Sequence, residues 1–222
     1  MTCLEEPIHF IGSEPADSLQ AITTEGVNLA IWRRDRVPSA EFAVRALLAV
    51  PYAVAIDEKA PDEDRLFGCL QQIIGSRAPT VSLRALAADM ARLSRLFSEI
   101  AKTIHPRVRL ERVEDDGCAI FHADSLKIRM LCTYAGAGTE WLENSNVRRD
   151  ELGSRDRSIG KTNAAIVIDP AKIRHIPAWH VAVFTGRGRE GTPALIHRSA
   201  PVATSSDYRL RLCIDLPGDC GC

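Results

Sequence analysis

The feature that most constrains this 222-residue chain is a pair of short motifs far apart in sequence. His122-Ala-Asp124 heads a strand-like run, and His197 follows 75 residues later inside Ala194-Leu-Ile-His-Arg-Ser199. Residues i and i+2 of a strand share a face, so His122 and Asp124 can grip one ion while His197 arrives from another strand. A fold that honours this must bring two remote strands together. Two imidazoles and one carboxylate on one side of Fe(II) leave positions for oxygen and an organic co-substrate. Isolated histidines are ordinarily surface or satisfied core residues, so the flanking sequence has to decide.

Both motifs have strand-like surroundings. Leu126-Lys-Ile-Arg-Met-Leu-Cys-Thr-Tyr134 alternates, and Gly136-Ala-Gly-Thr-Glu-Trp-Leu142 reads as a turn and a return. His180-Val-Ala-Val-Phe-Thr-Gly186 is a further strand, closed by a glycine-rich turn through Gly191. Tyr208 to Asp215 alternates strictly, with Arg209, Arg211 and Cys213 on one face and Leu210, Leu212 and Ile214 on the other. A cover of helices from the N-terminal half would turn those arginines toward an interior, where an anionic ligand would balance them. An edge strand with one wet face is the simpler alternative. If the first strand runs unbroken, His122, Asp124, Leu126, Ile128, Met130 and Tyr134 share a face, leaving Lys127 and Arg129 on the other. Tyr134 would then look toward the metal.

These residues resemble known families. His-x-Asp, a second histidine on a late strand and an arginine one strand further on resemble the Fe(II) and 2-oxoglutarate-dependent dioxygenases over about residues 105 to 217. Phe121-His-x-Asp, the Leu131-Cys-Thr-Tyr and Gly138-Thr-Glu-Trp run, Ile196-His-Arg-Ser and Arg211-Leu-Cys-Ile-Asp resemble more closely a bacterial family of unknown function, DUF1826, over most of the chain. The dioxygenase resemblance implies an α+β protein whose C-terminal half is a double-stranded β-helix, a cupin-like jelly roll, buttressed by N-terminal helices. It implies iron held by His122, Asp124 and His197, with Arg209 or Arg211 binding the far carboxylate of 2-oxoglutarate. Those arginines stand 12 and 14 residues past His197, a longer interval than that superfamily uses, and an insertion at Ala200 to Asp207 would absorb the difference. Tyr134 could contact iron or co-substrate, and Arg198 and Trp141 could line the mouth. A cupin-like oxygenase would need the same three ligands and no arginine. His175 and His180 are competing ligands, less attractive beside Pro177.

The expected organisation is a mainly helical region over residues 1–105, a metal-binding core over 106–217 and a cysteine-containing tail over 218–222. Ser39 reads as an N-cap for a helix through Leu48. Val27 to Trp32 and Pro51 to Ile56 read as short strands, and a helix starting at Pro61 to Arg65 carries Leu66, Leu70, Ile73 and Ile74. Across Ser82 to Ile104, Leu83, Leu86, Met90, Leu93, Phe97 and Ile100 fall at helical spacing, with Arg84, Arg92 and Arg95 on the wet side.

With 28 basic against 29 acidic residues, the net charge of −1 offers no sign of nucleic-acid or membrane affinity. No apolar run is long enough to span a bilayer and Met1-Thr-Cys-Leu-Glu-Glu lacks signal-peptide character, so a cytoplasmic location is expected. Seven scattered cysteines read as reduced thiols, with Cys132 and Cys213 packed in strands. Gly218-Asp-Cys-Gly-Cys222 is a second metal feature, since paired thiolates favour Zn(II) or Cu(I), although two are too few for a closed site. Gly160-Lys-Thr162 lacks the upstream glycine of a phosphate-binding loop, that position being Arg155. Arg148, Arg149, Arg155, Arg157 and Lys161 are interleaved with acids and suit a surface loop. Ser199 has no nucleophile-elbow glycines.

The leading expectation is therefore a mononuclear non-haem Fe(II) oxygenase, 2-oxoglutarate-dependent, acting on a small-molecule or peptide substrate. The rival is a non-catalytic zinc-handling protein, holding Zn(II) in the same pocket or at Cys220 and Cys222 and passing it to a metal-handling partner. A cupin-like binding or isomerase domain is a third reading.

Overall fold

The computed structural model describes residues 8–50, 55–113, 118–153, 157–201 and 208–218. The paired cysteines Cys220 and Cys222 lie outside them, as do Arg155 and most of the 200–207 segment. The chain is α+β. Its strands are β1 (Ile8–Gly12), β2 (Val27–Trp32), β3 (Ala55–Lys59), β4 (Arg107–Val113), β5 (Ile128–Ala135), β6 (Glu140–Leu142), β7 (Arg174–His175), β8 (Val181–Thr185), β9 (Ile196–Arg198) and β10 (Arg209–Asp215). The helices are α1 (Pro15–Gln20), α2 (Glu41–Leu48), α3 (Glu63–Ile74), α4 (Thr80–Ala101) and α5 (Ile159–Ile166).

Seven strands form one mixed sheet in the order β1-β2-β8-β5-β10-β4-β3, parallel only between β1 and β2. A small antiparallel sheet, β7-β6-β9, lies against it, and an isolated bridge between His122 and His197 extends its β9 edge. The alternation along β10 is explained by this layering. Leu210, Leu212 and Ile214 join the buried cluster formed with α2, α3 and α4, while Cys213 packs on the opposite face with Leu131, Phe184, Leu195 and Trp141. β10 is central, between β5 and β4, rather than an edge strand. A third cluster, with Phe121, Leu142, Ile166 and Ile196, packs α5 beyond the small sheet.

The long periodic helix is present as α4, with Leu83, Leu86, Met90, Leu93, Phe97 and Ile100 all buried. Asp62 caps α3, accepting a hydrogen bond from the Arg65 amide. Ser39 caps nothing: it lies in a 3-10 turn, and α2 starts at Glu41. Ser82 of α4 supplies the missing acceptor, its hydroxyl receiving the Ala43 amide at 2.9 Å. The N-terminal region is also less exclusively helical than its periodicity implies, since β1, β2 and β3 extend the main sheet on both sides. Cys132 and Cys213 are buried thiols in β5 and β10. Among the described residues, no helix is long and apolar enough to cross a membrane.

Candidate metal centre

The two histidines meet because their strands do. The His122 amide donates to the His197 carbonyl at 2.9 Å, and the His197 amide returns the bond at 3.0 Å, so the residues sit directly opposite one another. Their ring centroids are 4.7 Å apart. Asp124 follows where the chain leaves the small sheet to enter β5. Its carbonyl accepts the Arg187 amide at 2.8 Å, and the next turn is clasped by Gly186 and Gly188. A Cβ on Gly186 would fall 2.2 Å from the Leu126 carbonyl oxygen and 2.6 Å from that of Asp124. Glycine is required there by close backbone approach.

His122, Asp124 and His197 each offer a ligand atom, all within 4.8 Å of one another. Tautomers follow from the neighbours. His122 Nδ1 lies 2.8 Å from the Ile120 carbonyl oxygen and His197 Nδ1 lies 3.4 Å from that of Leu195. A carbonyl only accepts, so both Nδ1 atoms carry the proton, and both Nε2 atoms present lone pairs. These face the carboxylate: His122 Nε2 is 3.5 Å from Oδ1 and His197 Nε2 is 3.7 Å from Oδ2. Asp124 Oδ1 is buried with no hydrogen-bond partner among the described residues. Imidazole lone pairs facing the two oxygens of one ionised carboxylate repel them in the absence of a cation, and this donor set fits a divalent transition metal.

The electrostatics agree. Burial would raise the Asp124 carboxyl, but a proton on His122, positive charge on His197 and the Arg129 guanidinium outweigh it and hold the group well below the usual carboxylate range, Arg129 being the cause that persists when the imidazoles are neutral. Burial lowers His197 to about 4, against the opposing pull of Asp124, so its imidazole is neutral at neutral pH. A neutral imidazole and an ionised carboxylate are the protonation states that ligate metal.

Behind the triad runs a chain of alternating charges. Arg129 donates from Nη1 to Asp124 Oδ2 at 2.7 Å and from Nε and Nη2 to Asp215 at 2.7 and 3.1 Å. Arg109 bonds Asp215 and reaches Glu111 at 3.2 Å, and Glu111 accepts from Arg211 at 2.9 Å. Arg109, Arg129 and Arg211 thus balance Asp124, Asp215 and Glu111.

Arg211, Arg129, His122 and His197 border one narrow recess of about 10 Å³, together with Thr139, Ser199 and Cys118. Arg209 is on the same face of β10 but outside that recess, donating to the Ala200 carbonyl at 2.9 Å. Arg198 borders the recess, with its guanidinium held by Glu140 at 2.6 Å and laid over the Phe121 ring at 4.4 Å. Tyr134 is not at the site. It is buried on the helix-facing side of β5 and donates its hydroxyl to Asp89 of α4 at 2.8 Å. The expected parity fails because the strand is broken: His122 is an isolated bridge, and residues 125–127 bend before β5 begins at Ile128. Crossing between sheets reverses the faces, so Arg129 and Leu131 point toward the triad instead. Trp141 is likewise buried in the interior cluster.

His175 is exposed in β7 and His180 precedes β8; neither joins the cluster. Arg148 and Arg149 of the basic loop are occupied by the carbonyls of Ala165, Val167 and Ala194. Asp215 and Arg129, which orient Asp124, escaped sequence reasoning. The strict alternation that placed Arg211 inward also places Asp215 there.

A family described as "Protein of unknown function (DUF1826)" matches residues 13–215. No curated protein matches the sequence. Among solved structures, a dioxygenase for auxin oxidation from rice is similar at 15% identity, over 85% of this chain and 73% of that one, with a TM-score of 0.50. A prolyl-4-hydroxylase from Pseudomonas putida is similar at 10% identity over 90% and 96% of the two chains, with a TM-score of 0.46. The Fe(II)/alpha-ketoglutarate-dependent dioxygenase TqaL is similar at 13% identity over 78% and 73%, with a TM-score of 0.39. At such identities likeness bears on fold alone, and here only the rice enzyme is similar enough to bear on it.

Proposed function

The chain belongs to the DUF1826 family, and from that premise we propose that it is a mononuclear non-haem Fe(II) oxygenase built on a jelly roll, with 2-oxoglutarate as co-substrate. In this reading β4, β10, β5 and β8 are the larger half of the roll, and β7, β6, β9 and the segment ending at His122 are the smaller. The observation that carries it is a buried aspartate set against two imidazole Nε2 lone pairs, with His122 facing an Oδ1 that lacks a donor and His197 facing Oδ2.

His122, Asp124 and His197 would hold Fe(II), which when bound supplies activation of molecular oxygen. The chain's own contribution is orientation. The Ile120 and Leu195 carbonyls keep each Nδ1 protonated, and Arg129 occupies Asp124 Oδ2, leaving Oδ1 toward His122. Arg211 rather than Arg209 is the anchor for the far carboxylate, because it borders the recess. The recess holds about one water as it stands, so a dicarboxylate must draw Arg211 away from Glu111. Charge favours that exchange. The neutral set of three arginines and three acids gains two positive charges with Fe(II), and a dianion cancels them.

The test is anaerobic titration of metal-free protein with Fe(II), then with 2-oxoglutarate, following the weak visible charge-transfer band of chelated co-substrate. The band should appear, vanish in Arg211→Ala and persist in Arg209→Ala. His122→Ala and His197→Ala should each lose stoichiometric iron while keeping the wild-type circular dichroism spectrum. Retention of iron by either would overturn the site. Iron binding without the band would leave an oxygenase of another kind, and tight zinc binding without iron binding would favour metal handling.

A further inference from the structure

A second cavity lies beside the first. Across the small sheet, Trp141 of β6 is the register partner of both His197 of β9 and Arg174 of β7, so the three side chains project from the same face in a row. Beyond Trp141 the row opens into a cleft of about 690 Å³, bounded by β1 and β2 on one side and by β6 and β7 on the other. That volume is within the range of small-molecule sites, whereas the recess at the triad is far below it. Adjacent positions in a sheet are about 5 Å apart, so one indole separates the cleft from a metal ligand.

The lining specifies what would fill the cleft. Ile11, Ile31 and Ile173 supply apolar wall, with the His9 ring set edge-on to Trp141 at 4.6 Å. Two cations stand at the rim. Arg174 is already engaged, donating from Nε and Nη2 to Glu143 at 3.1 and 3.0 Å. Arg33, exposed at the end of β2, makes no ion pair among the described residues, which leaves one uncompensated positive charge. Trp141 is 4% exposed, and its indole N–H is buried without an acceptor among the described residues.

We propose that this cleft binds a monoanionic carboxylate with a compact apolar body, and that Trp141 sets how far the body reaches toward the triad. The cleft is a ligand site separate from the recess at the triad, walled from it by the indole. The carboxylate is anchored by Arg33 at the rim, the apolar body lies on the isoleucines, and the far end meets Trp141. Ligands of this class are distinguished from neutral or cationic analogues by Arg33, and from larger bodies by the indole.

The experiment uses the full chain, metal-free, with octanoate as probe and octanol and octylamine as controls, followed by calorimetry and tryptophan fluorescence. Octanoate should bind saturably at one site and at least tenfold more tightly than either control. Arg33→Glu, an exposed substitution that leaves the fold intact by circular dichroism, should weaken octanoate at least tenfold. Trp141→Phe, which keeps an aromatic wall and shortens it, should raise the affinity of decanoate relative to octanoate. His197→Ala should lose iron and keep octanoate. Absence of saturable binding, equal binding of octylamine, or an unchanged affinity in Arg33→Glu overturns the proposal.

Discussion

Two buried aspartates on opposite faces of the main sheet make an instructive pair. Asp89 of α4 is 6% exposed and lies beneath β5. It accepts from Arg34 at 2.9 Å and from the Tyr134 hydroxyl at 2.8 Å, and Arg34 in turn donates to the Trp179 carbonyl at 2.7 Å. Asp124, 1% exposed on the other side, has one oxygen bound by Arg129 and the other facing the His122 imidazole without a donor. Both carboxylates are desolvated and each has an arginine. The first is closed and pins helix to sheet; the second is left one cation short. Burial of charge alone therefore does not mark a site, whereas an unmet buried acceptor among metal-ligating side chains does.

The same substitution at both positions should separate them most sharply. Asp124→Asn should abolish stoichiometric iron binding in an equilibrium dialysis assay with a near wild-type denaturation midpoint, since Arg129 retains Asp215. Asp89→Asn should destabilise by about 3–5 kcal/mol, because it leaves Arg34 buried against a neutral partner. Its iron stoichiometry should be unchanged. Equal effects of the two on iron binding would erase the distinction.

Acid should attack the Asp124 side in metal-free protein. His197 has a folded value of about 4 against about 6.5 unfolded. Its neutral form is favoured only in the folded state, so its contribution is complete above about pH 6.5 and is lost as pH falls toward 4, on the order of 3 kcal/mol in total. Urea unfolding at pH 7 and pH 4.5 would measure this, and His197→Ala should flatten that part of the profile. Arg129→Met, which releases Asp124 Oδ2, should weaken iron about 10–100-fold by the usual scale for residues that orient a ligand. Smallest is Tyr134→Phe, which should cost about 1 kcal/mol through the lost bond to Asp89 and leave metal affinity untouched. A large effect of that substitution on iron would return Tyr134 to the site.

Much of the scaffold was legible because periodicity is a local property. The helical spacing from Leu83 to Ile100 dictates a face that must be buried, and the alternation from Arg209 to Asp215 dictates which residues point together. The ligand trio was also legible, as residue types at strand spacing. Ser39 misled because an N-cap depends on which amide lacks an acceptor, and Ser82, distant in sequence, met that need for α2. Tyr134 and Arg129 exchanged faces because parity survives only while a strand is unbroken, and the bend at residues 125–127 leaves no mark in the alternation itself.

By itself, then, the sequence determined the ligand types, the amphipathic faces and the arginine-rich last strand, since these follow from side-chain chemistry and backbone repeat. Only the tertiary structure decided that His122 and His197 are hydrogen-bonded neighbours, that Arg211 borders the recess while Arg209 lies outside it, and that Asp124 keeps one oxygen without a donor. Each of these depends on which strands pair and which donors come within reach, and pairing between residues far apart is set by packing of the whole core rather than by any local run of residues.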